Sequence, residues 1–513
     1  MKPVSRLLLF VFTLTFAACS STRNLEGKKD DGKIEIVFLQ VNDVYEIAPI
    51  AGGKEGGMAR LATLKRQWLQ KNPNSFLVIA GDFVSPSVYN SIKYQGVAIR
   101  GKQMIEAMNA AGMDLAIFGN HEFDIKEQEL QDRINESTFQ WISSNSFHKT
   151  NNGIAPFTKT SNGLTTAIPE TFIQTIKDAD GTTVKIGYIA ITLPFNKADF
   201  VAYTEPLTTA KKSYVQLKDS VDAVVAITHQ TIDEDKKLAQ EIPGLAIIIG
   251  GHEHDMRFAK EGKVYITKAH ANAKSAYVIQ LKINKRKNKV KTVPELVYLN
   301  ESIPLDSATS AVVQKWVTTA ENNYSSLGFD AKKIVLQNSE PLDGRESEIR
   351  SHPTNLTKMI VAAMSKAAPQ AQVLFFNAGS VRVDDVLQMP VSQYDIIRTM
   401  PFGGGIREVE MKGNLLKKVL DQGQKNQGRG GYLVFNDAAS YDAAKNIWTL
   451  NGNILENDSI YRVGLTEFLL TGKEANLDYL NEQNPEITKV YAAATTGVMA
   501  DIRLALIRYL ENK

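Results

Sequence analysis

The sequence predicts an α/β protein built from more than one domain. Three observations carry this. Short runs rich in branched residues alternate with segments whose apolar residues recur at helical spacing. Several of those runs stop abruptly on Gly, Asn, Asp or His. The chain has 513 residues, more than one core accommodates at roughly 100–200 residues per domain. The composition is that of a globular chain, 43% hydrophobic and 22% charged. A formal net charge of +3 argues against a nucleic-acid carrier, whose basic surface would dominate the total, and favours a small-molecule partner.

Taking the chain in order, Lys2 and Arg6 precede the apolar run Leu7 to Phe16, which suits an export signal and is too short to span a bilayer. The run ends in Phe16-Ala17-Ala18-Cys19-Ser20, which resembles a bacterial lipoprotein signal. That resemblance implies a signal peptide over residues 1–18, a lipid on Cys19, and an exported protein anchored at the periplasmic or outer-surface face of the envelope. An ordinary cleaved signal with an incidental cysteine is the alternative. Cys19 is the only cysteine, so no intramolecular disulfide can form. Residues 19–32 read as a polar tether, and no later stretch qualifies as a membrane span.

From Lys33 the alternation begins. Strands are expected at Ile34–Val41, Phe76–Ala80, Leu115–Phe118, Val184–Ile191, Ala223–Ile227 and Leu245–Ile249, with helices at Met58–Leu69 and Gln103–Ala111. Tyr277–Ile283 and Val290–Leu299 flank the polar turn Asn284–Asn288 and read as a hairpin. Ala311–Tyr324 reads as a linker helix, and Val498–Leu510 as a closing helix.

The expected strands end on chemistry. Asp43, Asp82, Asn120, His229, His252 and His254 each follow an apolar run, where strand carboxyl ends build sites in open sheets. Four of the seven histidines, His121, His229, His252 and His254, fall in these terminations. Oxygen and imidazole donors without thiolates suit zinc, manganese or iron. His121 and Asp124 are spaced to form an oriented imidazole–carboxylate pair.

Asn42-Asp43-Val44-Tyr45-Glu46, Gly81-Asp82, Gly119-Asn120-His121-Glu122, Thr228-His229 and Gly251-His252-Glu253-His254 together resemble the calcineurin-like metallophosphoesterases, specifically the two-domain bacterial 5′-nucleotidase and UDP-sugar hydrolase group. The resemblance implies a four-layer α-β-β-α sandwich over residues 33–305, a linker helix over 306–330, and an α+β substrate-binding domain over 331–513. It implies two divalent metal ions. Asp82 bridges them; Asn120, His229 and His252 complete one, and Asp43 and His254 belong to the other. His121 and Asp124 form a catalytic dyad that holds no metal.

One position departs from the family. The usual Asp-x-His has become Asp43-Val44-Tyr45, followed by Glu46, a form similar to one branch of the family. The first metal site then loses a ligand, accepts a tyrosinate, recruits Glu46 or uses water. In the second domain, Arg350-Ser351-His352-Pro353-Thr354-Asn355-Leu356, Asn377-Ala378-Gly379-Ser380-Val381-Arg382, Pro401-Phe402-Gly403-Gly404 and Gly430-Gly431-Tyr432-Leu433 also match the family in order. The match implies that Arg350 and Arg382 hold the substrate, Asn377 reads base or ribose, and Tyr432 stacks on the base. Ion-paired arginines and a core tyrosine are the alternative. The family's glycine-rich segment is replaced by Thr471 to Tyr479, leaving Leu477 or Tyr479 for the second stacking position. The activity implied is metal-dependent removal of the 5′-phosphate from nucleotides. UDP-sugar hydrolysis, 2′,3′-cyclic phosphodiesterase activity and a nucleotide-binding lipoprotein with impaired catalysis are the alternatives.

Overall fold

The computed structural model describes residues 30–513, so the stretch expected to be a signal peptide and Cys19 lie outside the described residues. In chain order the first domain's principal strands are β1 (Lys33–Val41), β2 (Ser75–Ile79), β3 (Leu115–Ile117), β4 (Gln140–Ile142), β5 (Thr171–Lys177), β6 (Thr183–Thr192), β7 (Ala223–His229), β8 (Ile247–Gly251), β9 (Arg257–Glu261), β10 (Val264–Lys268), β11 (Ser275–Asn284) and β12 (Lys289–Tyr298). They form two six-stranded sheets, β12-β11-β1-β2-β3-β4 and β5-β6-β7-β8-β10-β9. The central strands β1 to β4 run parallel, as do β6, β7, β8 and β10, so their carboxyl ends gather on one rim.

Side-chain alternation packs the layers. In β1, Ile36 and Phe38 face the second sheet, while Val37, Leu39 and Val41 face the core under the helices Met58–Lys71 and Lys102–Ala111. In β7, Val225 and Ile227 face the first sheet and Val224 and Ala226 face the helix side, with Leu217 and Leu238. A strand buried on both faces must be apolar throughout, hence the runs of Ile and Val. Each such side chain contributes about 1.5–3 kcal/mol of burial. The resulting order is helix, sheet, sheet, helix.

Strand and helix bounds shift slightly from the sequence reading, for local reasons. β8 runs on through Gly250 and Gly251, because both pair with β7 opposite Thr228 and His229. The interdomain helix is Ser307–Ser326, starting early because Asp306 accepts from Thr309 N at 2.8 Å. The closing helix is Ile502–Glu511, starting late because Asp501 caps it through Arg503 N.

The second domain is organised on a five-stranded mixed sheet containing Val373–Asn377, Ile406–Lys412, Leu433–Phe435, Ile460–Thr466 and Ile487–Val490. Val373 and Phe375 share a core with Leu416 and Leu420 of the helix Gly413–Lys425; Leu374 and Phe376 face the helices Asn355–Ala367 and Ile502–Glu511. The carboxyl end of Val373–Asn377 delivers Asn377 and, after a short turn, Arg382. Among the described residues no helix is long and apolar enough to cross a membrane.

Candidate metal centre and the facing cavity wall

Parallel register brings the strand ends level. Val41 pairs with Ile79 and Ile79 with Ala116, while in the other sheet Thr192 pairs with His229 and His229 with Gly251. Immediately beyond, Asp43, Asp82 and His252 adopt φ of 53°, 56° and 90°, a region that costs an L-residue energy and recurs at functional sites. The turns need glycine beside them: a methyl on Gly119 would collide with the Asp82 carboxylate, and one on Gly81 would stand 2.7 Å from His229 Nδ1.

Side-chain atoms that accept rather than donate then converge. His229 gives its Nδ1–H to Ala80 O at 2.7 Å, which turns Nε2 inward, 3.0 Å from Asp82 Oδ2 and 3.9 Å from Asp43 Oδ1. The buried Asn120 Oδ1 has no hydrogen-bond partner. One atom each from Asp43, Asp82 and His229 falls within a sphere suited to one ion, all three atoms lying within 4.8 Å of one another. Burial opposes a charge on His229, yet Asp82 and Asp43 lift its pKa to about 9, so without an ion the ring carries a proton on Nε2 between the carboxylates, a proton that a divalent cation would replace. Burial, then the neighbouring His229, presses His252 down to about 3 and keeps it a neutral donor. The residues present therefore fit a divalent ion.

His121 stands at the mouth. Its backbone N–H donates to Asp82 Oδ1 at 2.8 Å, and its Nδ1 meets Asp124 Oδ2 at 2.6 Å. Asp124 is held in turn by Ser85 Oγ at 3.2 Å and Asn196 Nδ2 at 2.7 Å. Burial works against the charged imidazole, but Asp82 and Asp124 raise its pKa above the ordinary histidine value.

Two structural supports were given no role from the sequence, although Glu122 lies inside the Gly119–Glu122 motif. Buried Glu122 accepts from Asp82, Phe83, Val84 and Gly119 backbone N–H groups at 2.6–3.0 Å and fixes two turns at once. Lys268, fully buried, donates to Gly251 O and Glu253 Oε2 at 2.8 and 2.5 Å beneath the His252–His254 loop.

At the departing position, Tyr45 Oη lies among Asp43, Asp82 and His254, at 3.4, 3.4 and 3.0 Å. Glu46 points the other way, its carboxylate accepting from Tyr394 Oη of the second domain. Across the boundary Asp384 accepts from His254 Nδ1, an orienting contact missed in the sequence because nothing there distinguishes Asp384 from Asp385.

A cavity of about 440 Å³ opens over this rim, with Tyr45, Asp82, His121, His252 and His254 on one wall. Arg350 and Arg382 stand on the other. Arg350 is paired with Glu346, whereas Arg382 has no ion pair among the described residues and its buried Nε lacks a partner. Asn377 donates to Glu474 Oε2 at 2.7 Å and accepts from Ser380 Oγ at 2.6 Å. Both line a second cavity, of about 390 Å³, together with Phe402 and Phe468.

The residues expected to stack on the base lie outside the linings of both cavities. Tyr432 is 5% exposed and lies in the core with Phe376 and Val434, because its strand-entry position turns the ring inward. Leu477 is fully buried, and Tyr479 packs under Lys418 Nζ at 3.8 Å from the ring centroid. The rings lining the second cavity are Phe402 and Phe468, exposed at 70% and 44%. Phe402 was visible in the sequence as an aromatic beside two loop glycines; Phe468 was not.

Residues 36–256 match the calcineurin-like phosphoesterase family, and residues 334–482 match the 5′-nucleotidase C-terminal domain. The chain is 25% identical over 469 residues to a 5′-nucleotidase of Bos taurus, covering 81% of this chain and 78% of that protein. It is 25% identical over 503 residues to a 5′-nucleotidase of Homo sapiens, covering 86% and 84%. The solved structure of a 5′-nucleotidase precursor from Thermus thermophilus shares the fold, with a TM-score of 0.67, 20% identity, and coverage of 93% and 96%.

Proposed function

We propose, for a chain that joins a calcineurin-like phosphoesterase domain to a 5′-nucleotidase C-terminal domain and so belongs to the two-domain 5′-nucleotidase family of phosphoester hydrolases, that its reaction is removal of the 5′-phosphate from nucleotides. The observation that carries the reading is a rim of carboxylate and imidazole groups, Asp82, His121, His252 and His254, facing Arg350 and Arg382 across one cavity. Two ions such as zinc or manganese would be held by Asp82 in common, one of them with Asn120, His229 and His252 and the other with Asp43 and His254. A pair of such ions supplies an activated water and neutralises phosphoryl oxygens when bound.

The chain's own residues do the rest. Arg350 and Arg382 bind phosphate oxygens through their planar donor forks. His121, oriented by Asp124, stabilises or protonates the departing ribose oxygen. Phe402 and Phe468 flank the base, with Asn377 and Glu474 at its polar edge. The lipoprotein-like signal supports export with anchoring through Cys19, and the division at residues 305 and 330 separates chemistry from substrate binding.

Phosphate release from AMP, UDP-glucose and a 2′,3′-cyclic nucleotide, measured in parallel with manganese and zinc, tests the reading. AMP is expected to turn over fastest. Faster release from UDP-glucose or the cyclic nucleotide replaces the substrate assignment, and binding without turnover at every metal concentration refutes hydrolysis.

A further inference from the structure

Building on the two-metal reading above, we propose that Tyr45 Oη is a protein ligand of the first metal ion, completing with Asp43, Asp82 and His254 a site of three oxygens and one nitrogen. Donors bound at about 2.0–2.2 Å to one ion sit roughly 3.0–3.6 Å from each other. Tyr45 Oη is 3.0 Å from His254 Nε2 and 3.4 Å from both Asp43 Oδ1 and Asp82 Oδ2, and His254 Nε2 is 3.6 Å from Asp43 Oδ1. A phenol acting only as a hydrogen-bond donor has one hydrogen and closes on one acceptor at about 2.7–2.8 Å. This one stands centred among three instead.

The neighbours leave Tyr45 this role. Asn272 Oδ1 accepts from the backbone N–H of Tyr45 at 3.1 Å and of Glu46 at 3.2 Å, fixing the segment so that Tyr45 faces the rim. Glu46 is engaged by Tyr394 and does not reach the cage. Asp43 Oδ2 is held by Asn42 Nδ2 at 2.7 Å and His252 N at 3.0 Å, which directs Oδ1 inward. Asp384 holds Nδ1 of His254, which directs Nε2 inward. On coordination the oxygen–metal bond replaces the O–H bond, and the proton leaves to solvent. Exchanging imidazole for phenolate makes the donor set harder and more negative, favouring oxygen-seeking ions more than the usual histidine would.

Zinc titration of the metal-free protein tests this, because zinc is spectroscopically silent and ionisation of a phenol gives an ultraviolet difference band distinct from perturbation of neutral tyrosine or tryptophan. Two equivalents are expected to bind, with the difference signal of one tyrosinate. Tyr45→Phe is expected to lose that signal and to weaken one site by about tenfold or more. Tyr45→His is expected to bind two equivalents without the signal. Two equivalents bound with no tyrosinate signal, a single equivalent in the unaltered protein, or unchanged zinc affinity in Tyr45→Phe would overturn the ligand assignment. No zinc bound at all would instead sink the metal reading on which it rests.

Discussion

In the first domain every proposed metal ligand except Tyr45 lies on or within about a turn of a strand end, whereas the residues facing them in the second come mostly from loops and short turns. Asp82, Asn120, His229 and His252 are placed by strand register and by turns that Glu122 and Lys268 lock from beneath. Arg350, Arg382, Phe402 and Phe468 have no such frame; Arg350 relies on Glu346, and Phe402 is largely exposed. Backbone-set ligands can hold ions at fixed spacing, while loop-borne side chains can conform to a substrate. The difference also predicts unequal costs of mutation.

The largest effect should come from the framed wall. His121→Ala is expected to lower kcat by about 10²–10⁴-fold, with metal content unchanged because His121 is not a ligand; parallel phosphate-release and metal analysis check this. A loss of metal in that variant would erase the distinction between dyad and ligands. Next is the contact joining the two walls. Asp384→Asn should weaken one metal site by about 10–100-fold and spare the other, read by metal titration, since it touches only His254 of the proposed ligands.

A smaller effect belongs to the loop wall. Phe402→Ala should raise KM for AMP by about 3–10-fold and leave ribose 5-phosphate unaffected, since a stacked ring contributes about 0.5–1.5 kcal/mol. An equal rise for both substrates would place Phe402 outside base recognition.

The smallest concerns stability. Burial lifts Glu46 from 4.5 to about 7, against the opposing effects of Tyr394 and Arg398. Between those values the fold keeps a proton that the unfolded chain has released, so stability falls as pH rises through the window and levels off above it. Glu46→Gln should remove that fall, gaining about 2 kcal/mol at pH 8 in urea denaturation, with zinc binding unchanged. A parallel slope in both proteins would contradict the assignment.

The same contrast explains what was legible in the sequence. Strand ends announce themselves, because an apolar run must stop somewhere and a polar residue at that stop has few other uses; Asp43, Asp82, Asn120 and His229 were readable that way. Side-chain direction on loops is set by tertiary packing, so the sequence left Tyr432 open between a stacking ring and a core residue, and Phe468 went unnoticed. Asp384 acquires meaning only when the second domain sets it against His254. The choice at Tyr45 needed the turn at Asn272, which lies 227 positions further along the chain.

Hydrolysis at a metal pair held by the strand-end rim makes phosphate release depend on both ions. When manganese equivalents are restored to the chelated protein, release from AMP is expected to be negligible without metal and to rise steeply only with the second equivalent. Undiminished turnover by the chelated protein would contradict it.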